Sequence, residues 1–406
     1  MSAELTYKSS SLVSEIDLPS SKSISNRLLI AKALSNDRVP LTNLSTAHDT
    51  LELQNALNSS AEIIDVGMAG TAFRFLTAFY AMNDEKRILT GAKRMKERPI
   101  GVLVDQLRSL GATIYYQEIE GFPSLQIQKG ELKGGKRAID ASVSSQYISA
   151  LLLIAPYLDG GLELTLQGEV VSSPYIDLTI SLQQQLNVNS FRKGNKVVVK
   201  PGEYYSQQEI TVEADWSSAA FFYQFVALSG RSIFIKNLNP NSLQGDVECW
   251  KIFIDFGVVT EFINGGALLT FDPMLIASEL TLDLTRTPDL IPSITVTASQ
   301  LLKKVTILGT KTLYIKECNR VEALKVELLK IGSVLNELNG NSFEILGSKM
   351  TDQVSKVAFS TYNDHRMAMS LAPLAVYGKI TIDSKIVVEK SFPTFWIELE
   401  KAGIFS

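Results

Sequence analysis

The sequence predicts an α/β protein built from two similar domains, and three observations lead there. A chain of 406 residues is longer than one hydrophobic core usually serves, so two domains of about 150–220 residues are expected. Six segments repeat one plan, a small or acidic residue followed by an apolar helix of about twelve to fifteen residues. Short β-branched runs, set off by Gly, Asn or Asp, separate the helices, so strand and helix alternate in units of about 70 residues. Six such units divide into three plus three.

The first unit opens on LPSSKSISNRLLIAKAL, Leu18–Leu34. Ser21 and Ser23 are suited to cap a helix, and Ile24, Leu28, Ala31, Ala33 and Leu34 mark its buried face. Equivalent segments begin at Ala69 (AGTAFRFLTAFYAM), Ser144 (SSQYISALLLIAPYL), Asp215 (DWSSAAFFYQFVAL), Asp289 (DLIPSITVTASQLL) and Asn363 (NDHRMAMSLAPLAV). From Ser21 onward the intervals are 48, 75, 71, 74 and 74 residues, all but the first nearly equal, which points to a true repeat rather than chance alternation. A second, more amphipathic helix follows each, starting near Asp49, Pro99, Pro174, Asp246, Arg320 and Pro393. Strands are expected at Gly194–Val199, Ile210–Val212, Ser232–Ile235 and Gly378–Ile382, and an exposed turn at Gly130–Arg137. An N-terminal strand, Leu5–Leu18, lies outside the first unit.

Composition narrows the function. Hydrophobic residues make up 45% of the chain and charged residues 20%, the balance of an ordinary globular protein. A net charge of −4 argues against a general nucleic-acid binder, which would be basic. Any anion site must therefore be a local cluster of Lys and Arg. Cys249 and Cys318 are the only cysteines, so no disulfide framework is expected and a reducing cytoplasm is the simplest setting. With His48 and His365 they give no metal-ligand spacing. The opening MSAELTYKSS has no signal-peptide pattern. Apolar runs such as Ala150–Ala155 fall far short of the ~20 residues of a membrane span.

Polar residues unsuited to a core gather at the helix starts: Lys22, Ser23 and Arg27; Gly70, Thr71 and Arg74; Arg98; Ser144, Ser145 and Gln146; Ser172 and Tyr175; Asp289; Arg320; His365 and Arg366. Cations in a first helical turn oppose the helix dipole by roughly 0.3–1 kcal/mol, and a bound anion reverses that. Free backbone N–H groups would then converge on it with the cations. Such a set implies ligands with phosphate and carboxylate groups, which the guanidinium fork matches in two parallel hydrogen bonds. Each motif alone also has a plain structural reading: a serine or Asp289 as an ordinary cap, Gly70 as a tight turn, Glu317 as a surface acid between Lys316 and Arg320, His365 as a satisfied core histidine, Lys390 as a loop residue. No complete Gly-x-x-x-x-Gly-Lys-Ser/Thr loop is present, since GELKGGK at Gly130–Lys136 is followed by Arg137, and there is no Gly-x-Gly-x-x-Gly fingerprint, so nucleotide and dinucleotide ligands are poorly supported.

In chain order, PSSKSISNR, AGTAFR, ERPIG, SSQ, PYID, QGD, PD, KECNR, NDHRMAM and SFP together resemble the 5-enolpyruvylshikimate-3-phosphate synthase family over nearly the whole length. The resemblance implies two similar domains, each of three βαβαββ repeats, with the active site in the interdomain cleft and domain closure on substrate. It places residues 1–18 with 213–406 in one discontinuous domain and 19–212 in the inserted one. It also implies transfer of the enolpyruvyl group of phosphoenolpyruvate to the 5-hydroxyl of shikimate 3-phosphate, with no metal or organic cofactor, by a cytoplasmic monomer acting on small molecules. Carried over by position, Ser23, Arg27, Ser144, Ser145, Gln146, Ser172, Tyr175 and Lys316, with Lys22 and Asp289, would hold shikimate 3-phosphate. Lys22, Gly70, Arg98, Gln146, Arg320, His365, Arg366 and Lys390 would hold phosphoenolpyruvate. Asp289 would be the general base at the 5-hydroxyl. Glu317 with Lys22 would move the proton at the methylene carbon, and Lys390 would assist the departing phosphate.

Several positions depart from the family pattern: Met68 for Asn, Phe75 for Pro, Cys318–Asn319 for Thr-Asp, Thr312 for Asn, and Trp216 for a small residue. Met68 and Phe75 flank the Gly70 helix, which leaves the shape of the phosphoenolpyruvate pocket and sensitivity to glyphosate open. Within the same fold the rivals are the enolpyruvyl transferase acting on UDP-N-acetylglucosamine and RNA 3′-phosphate cyclase. From another class, the rival is a silent phosphosugar-binding protein; the presence of both Asp289 and Glu317 weighs against it.

Overall fold

The computed structural model describes residues 2–9, 12–350 and 356–406. Backbone packing divides the chain into two compact units, Met1–Pro19 with Glu213–Ser406, and Ser20–Val212.

In the unit Ser20–Val212, strand Ile63–Asp65, helix Gly70–Ala81, strand Arg87–Thr90, helix Gly101–Leu110 and the hairpin strands Thr113–Tyr116 and Leu125–Gln128 form one βαβαββ repeat. The first two strands pair in parallel and the hairpin adds to them antiparallel. The parallel pair requires a crossover, which the buried helix supplies. Strands Lys133–Asp140, Asp159–Gln167, Ser190–Lys193 and Lys196–Val199 repeat the pattern around helices Ser145–Ile154 and Ser173–Gln185. The remaining repeat keeps helices Lys22–Leu34 and His48–Asn58, but its sheet is reduced to the parallel pair Leu41–Thr42 and Ile210–Thr211. Helices Lys22–Leu34, Gly70–Ala81 and Ser145–Ile154 pack on one another at the centre. The last two are apolar nearly all round, as a helix sheathed by others must be.

The other unit has the same plan three times. Helices Trp216–Ser229, Ile291–Leu301 and His365–Leu371 pack together at the centre, and three four-stranded sheets surround them. The N-terminus completes this unit at two places. Ala3–Tyr7 pairs antiparallel with Ile380–Ile382 and Ile404–Phe405, while Ser14–Ile16 pairs in parallel with Ile233–Lys236. The single strand expected over Leu5–Leu18 is thus two strands in different sheets; residues 10 and 11 of that stretch lie outside the described residues.

Three further expectations are corrected. Gly130–Arg137 is not simply a turn, because Lys133–Asp140 is a strand in parallel register with Asp159–Gln167. A Cβ on Gly134 would lie 1.8 Å from the Gly161 carbonyl oxygen, so that glycine serves close strand approach. The helix expected near Asp246 is broken into short turns, Gly245–Glu248, Cys249–Ile252 and Phe253–Phe256. Tight winding at its end stacks Phe253 and Phe256, three apart, on one buried face. At Asp289 the helix begins two residues later, at Ile291 with Leu290 as cap residue, so Asp289 is not a cap and its carboxylate turns to Arg366 and Lys316 instead.

Candidate active site

In the unit Ser20–Val212 the helix starts supply the polar groups. Ser21 caps Lys22–Leu34 by accepting from the Ile24 N–H at 3.4 Å; Ser23 lies inside the first turn and is not the cap. Lys22 reaches the Asp49 carboxylate at 2.9 Å. Arg27 stands one turn further on. Its guanidinium, 2% exposed, donates to Thr179 Oγ1 at 2.8 Å, Ser149 Oγ at 3.0 Å, the Ser23 carbonyl at 2.8 Å and the Tyr175 carbonyl at 3.2 Å. All four acceptors are neutral, so burial pulls Arg27 down to about 10. That is a desolvation cost of about 3 kcal/mol which a bound anion would relieve.

The Gly70 start is the second cluster. A Cβ there would lie 2.6 Å from Arg98 Nη1 and 3.1 Å from Arg74 Nη1, so only glycine lets both guanidinium groups lie against the backbone. Arg74 is held by the carbonyls of Gly70 and Pro99 at 3.1 and 3.3 Å. Arg98 is 7% exposed, and its Nε and Nη1 have no hydrogen-bond acceptor among the described residues. A buried cation with unused donors is a ready anion site. Ser144 caps the next helix at the Gln146 N–H, 3.2 Å, and Gln146 Nε2 donates to Thr71 Oγ1 at 3.1 Å, tying that helix start to the Gly70 helix. Ser145 and Ser172 are also buried, and Ser172 precedes its helix in the left-handed conformation, φ 55°.

In the other unit, residues from four separated stretches converge. Arg320, 1% exposed, gives Nε to Asp364 Oδ2 at 2.7 Å and Nη2 to Asp364 Oδ1 at 3.2 Å and Glu317 Oε2 at 3.0 Å. Arg366 clamps Asp289 at its carbonyl, 3.0 Å, and its carboxylate, 2.9 Å. Lys316 and Arg320 stand 3.4 and 3.5 Å from the same carboxylate, and Lys390 stands 3.4 Å from Glu317 Oε1. His365 is 2% exposed beside Asp364, with 3.6 Å between Nδ1 and Oδ1. Glu317 and Lys390 are therefore inward-facing, not the surface acid and loop lysine of the plain reading.

Burial alone would push Asp289 up, but Arg366, Lys316 and Arg320 together hold it well below the usual carboxylate range. Burial pulls Lys316 down against the pull of Asp289. For Arg320 burial acts downward too, and the carboxylates of Asp364, Glu317 and Asp289 more than reverse it.

Sequence reasoning missed the carboxylates that hold these cations. Asp49 and Asp364 each occupy a helix start, where an acid needs no further explanation. Asp246 is buried, accepts from the Ser217 hydroxyl, and is pushed up to about 7 by burial and by Asp289, against Arg366. Four of the departures from the family pattern have local explanations. Asn319 caps Arg320–Leu329 at the Glu322 N–H, 3.2 Å, as an aspartate would. The Cys318 thiol, 3.6 Å from Asp364 Oδ2, is pushed up by burial and by that carboxylate and stays protonated. Phe75 lays its ring 5.4 Å from the Arg27 guanidinium carbon, with Tyr175 at 5.9 Å. Trp216 is core, its Nε1 donating to the Asn239 carbonyl at 3.0 Å.

No helix among the described residues is long and apolar enough to cross a membrane. Two repeat-built α/β units, each gathering cations at buried helix starts, are the arrangement expected of an enolpyruvyl transferase. Comparison with known proteins narrows this. The family model described as EPSP synthase (3-phosphoshikimate 1-carboxyvinyltransferase) matches residues 6–60 and 54–399. Relatives named 3-phosphoshikimate 1-carboxyvinyltransferase include that of Bacteroides fragilis strain YCH46, 42% identical over 97% of this chain and 96% of its own length. That of Sulfurovum sp. NBC37-1 is 34% identical over 96% and 97%. Among solved structures, an EPSP synthase from Acinetobacter baumannii shares the fold at a TM-score of 0.75 and 20% identity, covering 99% of both chains. The chain belongs to the EPSP synthase family.

Proposed function

We propose that this chain transfers the enolpyruvyl group of phosphoenolpyruvate to the 5-hydroxyl of shikimate 3-phosphate and releases phosphate. The observation that carries the reading is the cage in which Asp289 and Glu317 are held by Lys316, Arg320, Arg366 and Lys390, in a member of this family. Both substrates are phosphorylated carboxylates, and this cage, with Arg27 and the unused donors of Arg98, offers the charge they need.

The chemistry balances on these side chains. Asp289 takes the proton of the 5-hydroxyl as its oxygen bonds to C2 of phosphoenolpyruvate, while Glu317 with Lys22 delivers a proton to the methylene carbon. The resulting tetrahedral intermediate then loses phosphate from C2, assisted by Lys390, and the methyl carbon returns its proton, restoring the double bond. A base depressed by three cations is ionised but weak. Anionic substrates that draw Arg366, Arg320 and Lys316 onto themselves raise its basicity at the moment of need. Substrate binding thus arms the base. Arg27, Ser23, Ser144, Ser145, Gln146, Ser172, Tyr175 and Lys316 are proposed to bind shikimate 3-phosphate, and Lys22, Gly70, Arg98, Gln146, Arg320, His365, Arg366 and Lys390 phosphoenolpyruvate. The setting is proposed to be a cytoplasmic monomer acting on small molecules. Phosphate release requiring both substrates, without added metal, tests the reading.

A further inference from the structure

On helix Arg320–Leu329, Arg320 and Glu327 are seven residues apart and so share a face. Both are buried, at 1% and 0% exposure, and both grip the stretch that leads into helix His365–Leu371. Arg320 holds Asp364 through the two bonds already described. Glu327 Oε1 accepts from the Tyr362 hydroxyl at 2.7 Å, and Oε2 accepts from the Ser360 N–H at 3.1 Å and from Lys330 Nζ at 2.6 Å. Lys330 also donates to the Ala358 carbonyl at 3.0 Å. Between the two grips lie Tyr362 and Asn363, both left-handed at φ 54° and 56°. A tyrosine persists there only where its surroundings over-determine it. Asp364 then caps the helix through the Arg366 N–H at 2.9 Å, and the Arg366 guanidinium follows from that backbone position.

We propose that Glu327, acting through Tyr362, is a positioning residue that fixes the left-handed turn and so presets Arg366 and Arg320 for the phosphate and carboxylate of phosphoenolpyruvate. The inference rests on the functional reading above and extends it to a carboxylate that touches no substrate. Satisfied by Lys330 and a backbone N–H, Glu327 would serve folding alone; the bond to a tyrosine still 37% exposed is what couples it to the turn.

Tyr362→Phe deletes one hydrogen bond on a partly exposed ring and leaves the core intact. The Michaelis constant for phosphoenolpyruvate should rise about fivefold, the scale of one hydrogen bond. The constant for shikimate 3-phosphate and the melting temperature should stay near wild type. Glu327→Gln offers one oxygen where two are used, and should give the same split, larger. Thermal shift against phosphoenolpyruvate reads binding independently of turnover. An unchanged phosphoenolpyruvate constant in Tyr362→Phe overturns the proposal, as does a rise in both constants in step with a fall in melting temperature. A wild-type chain that neither turns over nor binds phosphoenolpyruvate overturns the functional reading, and the positioning role with it.

Discussion

Asp289→Asn is the substitution that separates the base from the rest of the cage. Asn keeps the shape and one oxygen for Arg366, but removes the charge that faces Arg366 at 2.9 Å, Lys316 at 3.4 Å and Arg320 at 3.5 Å. Breaking a buried ion pair from one side costs about 3–5 kcal/mol, and the retained oxygen puts the expected loss near ~3 kcal/mol. For a unit of roughly 200 residues this lowers the melting temperature by about 6–12 °C. Turnover should fall by about 10²–10⁴, the range of a lost general base. The two effects part on adding ligand: phosphoenolpyruvate or inorganic phosphate supplies the missing negative charge and recovers much of the melting temperature, but none of the turnover. Calorimetry with and without anion, alongside phosphate release at saturating substrates, reads both. Turnover within about threefold of wild type would refute Asp289 as base. A melting temperature that is lowered but blind to anions would refute the cage as an anion site.

Gly70→Ala places a methyl group 2.6 Å from Arg98 Nη1 and 3.1 Å from Arg74 Nη1, so Arg98 must shift; the Michaelis constant for phosphoenolpyruvate should rise about tenfold, with that for shikimate 3-phosphate unchanged in steady-state assays. Asp246, pushed up to about 7 in the folded chain, binds its proton more tightly folded than unfolded. The stability this gives is full below the unfolded value near 4 and is lost as pH rises through about 7, by up to ~4 kcal/mol. Asp289 shifts the other way, so its contribution is lost only below the unfolded carboxylate range and does not mask the effect. Urea midpoints of wild type and Asp246→Asn from pH 5 to pH 8 should show the wild-type decline flattened in the variant; parallel curves would contradict the assignment.

The helices were legible because the repeat states the same thing six times: a small or acidic residue, then an apolar stretch too long for a strand. What escaped depends on partners distant in sequence. Nothing near Leu5–Leu18 says that its two ends pair in different sheets, with Ile380–Ile382 and with Ile233–Lys236. The glycines of Gly130–Arg137 look like a turn until Gly161 is seen against Gly134. In the site, the cations stood out because Lys and Arg are anomalous at buried helix starts. Their carboxylate partners did not, since acids belong at helix starts and only tertiary packing turns Asp49 toward Lys22 and Asp364 toward Arg320. The acceptors of Arg27 were not legible either, because Ser149 and Thr179 lie 122 and 152 residues away.

The most direct test of the account is phosphate release by the purified chain given shikimate 3-phosphate and phosphoenolpyruvate in chelator-treated buffer. The account predicts release that requires both substrates and is unaffected by the chelator. Release from phosphoenolpyruvate alone, or none with both substrates bound by calorimetry, would contradict it.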